Sequence, residues 1–271
     1  MGQADDPIGA PLLDLTGPRN PKNSGTFGRG DPRFIVLHYT ATTTLEQAVA
    51  TLENRQLDVS AHFVVGLEGE VRQLGGLEQV LWHAGRSSWR GHDGLNRRSI
   101  GIEIVNPGWL TEDGEGVLRT WFGRKLPDAY GAARAIHRNG GPERWWAAFP
   151  EAQLAAVRAL VLQLRARVPT LIEVVGHDEI APGRKHDPGP LFPLDVFKAL
   201  LEAHSGDEIR RVTARHLNVR VGPGRTYDLA RRPLPRGARV RILDVDDGWS
   251  RVAAAATQAQ LGWVASRFLA A

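Results

Sequence analysis

Histidine and carboxylate residues gather in three short segments: Val36-Leu37-His38-Tyr39-Thr40, Val175-Gly176-His177-Asp178 and Arg184-Lys185-His186-Asp187-Pro188-Gly189. Two neutral imidazoles and one carboxylate make a zinc site with three protein ligands and a fourth position for water, the arrangement of a catalytic zinc. His38, His177 and Asp187 are the candidate ligands. Spacing alone does not select them, because they lie far apart in the chain and must converge from strand ends. The chain has no cysteine, which removes disulfides, thiolate ligands and a Cys nucleophile. A purely structural zinc normally has four protein ligands, and His186 or His83 would have to move in to supply the fourth.

Such side chains need rigid carriers, and the hydrophobic pattern provides them. Phe34 to Tyr39 is a β-branched and aromatic run entered through Asp31-Pro32, and alternation sets Phe34, Val36 and His38 on one face. Thr42 to Arg55 reads as an amphipathic helix, with Thr43 and Glu46 as a capping pair and Leu45, Ala48, Val49 and Leu52 as apolar positions. Ala61 to Val65 is a second strand, turned through Gly66 and Gly69 into Val71 to Leu74. Ser99 to Val105 is a third, in which Ile100, Ile102 and Ile104 share one face and Glu103 points to the other. Glu151 to Val168 is helical by its spacing of Leu154, Val157, Leu160, Val161 and Leu164, with Pro150 and Pro169 at its ends. Leu171 to Val175 is a buried strand that delivers Gly176-His177 into the loop 178–193, and Leu194 to Ala203 is a closing helix. Gly108 to Ala148 is rich in Gly, Arg and Trp without a sustained period; it reads as a long insertion that can line or cover a groove.

A hydrophobic share of 42% and a charged share of 24% are those of a globular protein, and 271 residues suit one large and one small domain. The formal charge of +4 favours a polyanionic partner without choosing among nucleic acid, anionic lipid and acidic wall polymer. No recognisable nucleic-acid module interleaves aromatic and basic residues, and no apolar run approaches the roughly 20 residues that span a bilayer. No signal peptide is visible. That means either a cytosolic protein or a chain that begins after a removed export signal, and the polar start through Pro7, Pro11, Pro18 and Pro21 suits the second.

Five blocks stand in order between residues 33 and 203: Phe34-Ile-Val-Leu-His-Tyr-Thr40, Ser60-Ala-His-Phe63, Leu81-Trp-His-Ala-Gly85, Ser99-Ile-Gly-Ile-Glu-Ile104 with Asn106, and Gly176-His-Asp-Glu-Ile-Ala-Pro-Gly-Arg-Lys-His-Asp-Pro-Gly-Pro190. Together they resemble the type 2 N-acetylmuramoyl-L-alanine amidases, which share a fold with the peptidoglycan recognition proteins. The Trp82 to Gly85 stretch and the Arg90 to Asn96 segment look most like the periplasmic lipoprotein branch, which acts on ordinary and anhydro-muramic acid alike. The resemblance implies an α/β domain with a mixed central β-sheet flanked by helices. It also implies zinc on His38, His177 and Asp187, with catalysis by Glu103 and Lys185. An amide is a poor electrophile with a poor leaving group; zinc acidifies water and polarises the lactyl carbonyl, Glu103 moves the proton to the L-alanine nitrogen, and Lys185 meets the oxyanion. Trp82 and His83 fall in a block that the family uses near its sugar-peptide cleft, and His62 either lines the same groove or is a satisfied core histidine; these three are the substrate-binding candidates. The alternative function is a non-catalytic muropeptide recognition protein, against which the retention of Glu103 and Lys185 beside all three ligands argues.

Leu217-Asn-Val-Arg-Val-Gly-Pro-Gly224, Asp247-Gly-Trp-Ser-Arg-Val252 and Gly262-Trp-Val264 resemble the bacterial SH3 family. That resemblance implies a small all-β barrel that holds a hydrolase on peptidoglycan; Trp249, Val252, Trp263 and Val264 are its expected core. The expected organisation is an N-terminal extension over 1–30, the zinc amidase domain over 31–204 with an insertion at 108–148, a linker at 205–208 and the SH3-like domain over 209–271. The expected partner is peptidoglycan or muropeptides, with no nucleic acid and no integral membrane segment, for a monomer in the periplasm or extracellular wall, or alternatively the cytosol. Recycling, envelope remodelling, phage lysis and a toxin role all use this chemistry.

Overall fold

The computed structural model describes residues 20–22, 24–205, 209–255 and 259–270; most of the expected N-terminal extension and residues 206–208 of the expected linker lie outside them. The chain divides into two compact units. One comprises the described residues up to Phe27 with Pro32–Lys198, the other Gly28–Asp31 with the described residues of Ala199–Ala271.

The first unit runs through β1 (Phe34–Tyr39), α1 (Leu45–Glu53), β2 (Phe63–Val65), β3 (Val71–Gln73), a short β4–β5 pair (Ser88–Trp89 and His92–Asp93) and β6 (Ser99–Ile104). It continues through β7 (Trp109–Glu112), β8 (Leu118–Thr120), β9 (Ala132–Ala135), β10 (Arg144–Ala147), α2 (Glu151–Arg167), β11 (Glu173–Gly176), the single turn α3 (His177–Ile180) and α4 (Leu194–Ser205), of which this unit holds the residues up to Lys198. Its central sheet has the order β11-β1-β6-β2-β3. The first four strands are parallel and β3 is antiparallel at the edge, so the expected mixed sheet is present. Strands covered on both faces are apolar almost continuously: Ile35, Leu37, Ile100, Ile102 and Ile104 are fully buried, as are Phe34, Val36, Val64 and Val175. Helix α2 buries Val157, Leu160, Val161 and Leu164, and its Gln153 amide donates to the carbonyls of Val65 (3.3 Å) and Val105 (2.9 Å), tying the helix to two strand ends.

Helix α1 begins two residues beyond its expected cap. Thr44, not Thr43, is the N-cap, its hydroxyl accepting from the Gln47 amide at 3.3 Å, while the Gln47 side chain reaches back to the Thr43 N–H. The Thr/Gln pair satisfies the same orphan donors that a Thr/Glu pair would, so either register fits the local sequence. At the other end the buried Lys22 ammonium donates to the carbonyls of Leu52 and Asn54, both at 2.9 Å, a cation where the helix dipole is negative.

The insertion, whose structure is not legible in the sequence, is a four-stranded antiparallel sheet of order β8-β7-β10-β9. Asn106 anchors it: its amide donates to the carbonyls of Ala147 and Ala148 and its oxygen accepts from the Gly108 N–H.

The second unit carries β12 (Ile209–Val212), β13 (His216–Arg220), β14 (Leu229–Pro235), β15 (Arg239–Asp246), β16 (Trp249–Ala254), β17 (Gln260–Ala265) and β18 (Leu269–Ala270), in the sheet order β14-β13-β17-β16-β15-β12-β18. It is all-β, as expected. Its core is Val212, Leu217, Val219, Leu234, Val240, Ile242, Val252 and Val264. The expectation for Trp249 and Trp263 is corrected: both are only half-buried, and the Arg251 guanidinium lies 5.9 Å from the Trp263 ring. Among the described residues no helix is long and apolar enough to cross a membrane.

Candidate active site and metal centre

Three parallel strands bring their carboxyl ends to one edge of the central sheet, the usual place for a ligand site in an open α/β sheet. His38 is the fifth of six residues in β1, Glu103 the fifth of six in β6, and His177 directly follows β11. In the parallel register His38 is paired with Glu103, so the two side chains leave adjacent strands, about 4.8 Å apart, on the same face. Asp187 is brought in by the loop after α3, where the Asp178 N–H donates to the Asp187 carbonyl at 2.7 Å.

The Nδ1 atoms of His38 and His177 lie 2.8 Å apart, and Asp187 Oδ2 lies 2.9 Å from the first and 2.8 Å from the second. All three residues are buried. Their outer contacts fix the imidazole tautomers. His177 Nε2 faces the Ala84 carbonyl at 3.1 Å, an acceptor that favours a proton on Nε2 and turns Nδ1 toward His38 and Asp187, although the Arg184 guanidinium stands 3.3 Å from the same nitrogen. His83 Nε2 faces the Ser99 carbonyl at 3.3 Å, which leaves His83 Nδ1 to accept from His38 Nε2 at 3.1 Å and frees His38 Nδ1 in turn. Burial, and secondarily the charge of His177, lowers the His38 pKa to about 4, so this ring is neutral at physiological pH. With the ring protons on the outer nitrogens, the two Nδ1 atoms and Asp187 Oδ2 converge on one point as three ligand atoms suited to a cation. Among the described residues these three form the one such cluster able to hold a metal ion, and two nitrogens with one carboxylate oxygen fit zinc.

Glu103 Oε2 is buried and has no hydrogen-bond partner among the described residues. Burial, reinforced by the Asp187 charge and opposed by Lys185, pushes its carboxyl well above the usual range. A cleft of about 470 Å³ exposes His38, His177, Asp187, Glu103, Lys185 and Trp82 to one space. His186, for which the sequence suggests no role, is exposed on the same cleft with its ring against His137 at 5.3 Å.

His83 also reaches the cleft, but its ring is 8% exposed and both its nitrogens are engaged, one of them on His38. It orients the candidate ligand His38. The ring lies flat on Gly101, where an added Cβ would stand 2.4 Å from His83 Cγ. Gly101→Ala therefore collides with an imidazole held at both nitrogens, and overpacking of this kind costs roughly 1–3 kcal/mol. The expected result is a lower denaturant midpoint together with weaker metal binding; an unchanged midpoint would mean the ring is free to move.

The placement of His62 is a correction. It is fully buried, accepts from the Gly101 N–H at 3.0 Å and faces the Gln79 carbonyl at 2.9 Å. With both nitrogens on backbone groups it is a satisfied core histidine, away from the cleft.

Several positioning residues escape sequence reading. Arg184 donates to the carbonyls of Ala84 (2.8 Å) and Arg86 (2.7 Å), locking the ligand loop to the strand-connecting loop that also receives His177. From the inserted sheet, His137 Nε2 lies 3.1 Å from both the His186 carbonyl and the buried Asp178 carboxylate, and Asn139 donates to the Asp178 carbonyl at 2.8 Å. Nothing local marks these residues, because each acts on a segment some 40 or more positions away.

Residues 28–190 match the protein family described as N-acetylmuramoyl-L-alanine amidase. The N-acetylmuramoyl-L-alanine amidase AmiD of Escherichia coli (strain K12) is 36% identical over 169 residues, 59% of this chain and 50% of the relative. The 1,6-anhydro-N-acetylmuramyl-L-alanine amidase AmpD of Salmonella typhimurium (strain SL1344) is 30% identical over 158 residues, 58% of this chain and 65% of the relative. This chain therefore spans between half and two thirds of the length of these curated relatives. The solved complex of E. coli AmiD with the substrate anhydro-N-acetylmuramic acid-L-Ala-D-gamma-Glu-L-Lys is similar with a TM-score of 0.47 and 32% identity, over 65% of this chain and 59% of that one. The family match extends over more than half of the sequence, and this chain belongs to the N-acetylmuramoyl-L-alanine amidase family.

Proposed function

We propose that the protein is a zinc-dependent peptidoglycan amidase, hydrolysing the amide between the lactyl group of N-acetylmuramic or anhydro-muramic acid and L-alanine. The observation that carries this reading is the convergence of His38, His177 and Asp187 beside Glu103, whose Oε2 is buried, on one cleft. When bound, zinc supplies Lewis acidity to the scissile carbonyl and lowers the pKa of water. Glu103 accepts the proton of the attacking water at Oε2 and returns it to the departing alanine nitrogen; its raised pKa suits both halves of that exchange. The Lys185 ammonium faces the same cleft and stabilises the negative charge that develops on the carbonyl oxygen. A recognition protein gains nothing from a carboxyl whose Oε2 is buried without a partner among the described residues, since burying one is costly.

Chelation is expected to abolish turnover of a purified muropeptide, and zinc to restore it, with mass spectrometry detecting the freed L-alanine amine. Full turnover in a verified metal-free sample would overturn this function.

The C-terminal unit has a core of its own, and the reading that goes with it is an SH3-like module that retains a monomeric enzyme on polymeric wall outside the cytoplasm. Truncation after residue 205 is expected to preserve the rate on soluble muropeptide and to abolish co-sedimentation with insoluble sacculi. Undiminished co-sedimentation would assign retention to the amidase unit.

A further inference from the structure

The inserted sheet contributes something to the cleft that the hydrolytic chemistry does not require. Trp109, which opens β7, and Trp121, which follows β8, both line it. Their rings are stacked, with centroids 6.2 Å apart and planes at 23°. Trp121 is 46% exposed, yet it is tethered: its Nε1–H donates to the Pro107 carbonyl at 3.1 Å and Phe122 meets its ring edge-on at 5.2 Å. A large aromatic is normally buried for its apolar area, so an indole held rigid and left exposed is a prepared contact surface. The pair is also fixed relative to the metal ligands. Tyr39, next to His38, packs on Gly108, where a Cβ would stand 2.6 Å from the ring, and Gly108 precedes Trp109.

We propose that Trp121, backed by Trp109, is a saccharide subsite for the glycan strand, taking the N-acetylhexosamine unit next to the muramoyl residue that is cut. This rests on the amidase reading and narrows its substrate class to polymeric glycan over isolated muropeptides. The ligand class follows from the chemistry of the shelf. The indole N–H of Trp121 is already donated within the protein, so the ring offers only an apolar π face, which suits the C–H face of a pyranose. The Arg144 guanidinium packs on the Trp109 ring, 4.8 Å from its centroid, and holds in place the indole that backs Trp121. The acidic stem peptide calls for cations instead, and those on the cleft, Arg184 and Lys185, belong to the ligand loop.

The test uses the full zinc-loaded chain and a peptide-free tetrasaccharide of alternating β-1,4-linked N-acetylglucosamine and N-acetylmuramic acid, titrated by calorimetry. The wild type is expected to bind it, Trp121→Ala to weaken binding about tenfold, and Trp121→Phe to retain most of it, as the loss of one aromatic contact predicts. In parallel, the ratio of kcat/KM on a tetrasaccharide-peptide to that on a single muramoyl-peptide is expected to fall about tenfold in Trp121→Ala. Equal tetrasaccharide binding by wild type and Trp121→Ala, or none by the wild type, overturns the subsite. Cleavage accompanied by either of those results leaves the amidase reading standing without it. Binding that depends on Trp121 in a protein that cleaves nothing overturns the amidase reading and keeps the subsite.

Discussion

Glu103→Gln is expected to lower turnover of a muropeptide by about 10²- to 10⁴-fold, the usual worth of a general acid-base group, while metal content and muropeptide affinity stay unchanged. The amide keeps the shape of the side chain and one acceptor oxygen but cannot take up a proton. Glu103 is paired in register with His38, yet it is not among the three converging ligand atoms, so removing its charge leaves the metal cluster intact. The wild-type group sits where burial and the Asp187 charge both favour its neutral form; replacement by a neutral isostere is therefore expected to raise stability slightly, even as it removes activity. Steady-state kinetics beside metal analysis separates the outcomes. Loss of zinc would put Glu103 among the ligands, and near-normal turnover would pass its role to Lys185 or another group.

Asp187→Ala is expected to remove both metal and activity. Among the described residues the carboxylate is the only anion at the point where the two Nδ1 atoms meet, and without it a divalent ion has two neutral ligands in a buried site. Changes to groups that merely orient a ligand typically cost 10- to 100-fold in metal affinity, so loss of a ligand itself should exceed about 10²-fold. Atomic absorption after dialysis, followed by zinc titration, measures this directly. His38→Ala and His177→Ala are expected to behave alike, and a variant that keeps its full complement of metal would be struck from the ligand set. His83→Ala should lie between these and wild type, because it removes only the acceptor that fixes the His38 tautomer.

Local pattern is enough to place the carriers. The first strand runs over Phe34–Tyr39 as alternation and β-branching predict, and the Ile-rich face of β6 forces Glu103 to the opposite one. The ligand set is another matter: it becomes legible only through resemblance to a family, because spacing says nothing about how residues 149 positions apart meet. That meeting depends on parallel pairing of β1 with β6 and β11, which is non-local. The same limit explains the misplacement of His62. Alternation sets it on a strand face, but whether a groove or the Gly101 and Gln79 backbone waits there depends on the neighbouring strand and the loop beyond. The insertion hides most completely. Its strands have three or four residues each, too short for a period to emerge, and they exist because they hydrogen-bond to one another across long loops. From sequence come the chemical groups and the faces they occupy, since those follow from backbone geometry two to four residues at a time. The tautomers of His38 and His177, the desolvation of Glu103 and the exposed Trp121 shelf were decided by tertiary structure alone, because each is a property of what the rest of the chain brings within a few ångströms.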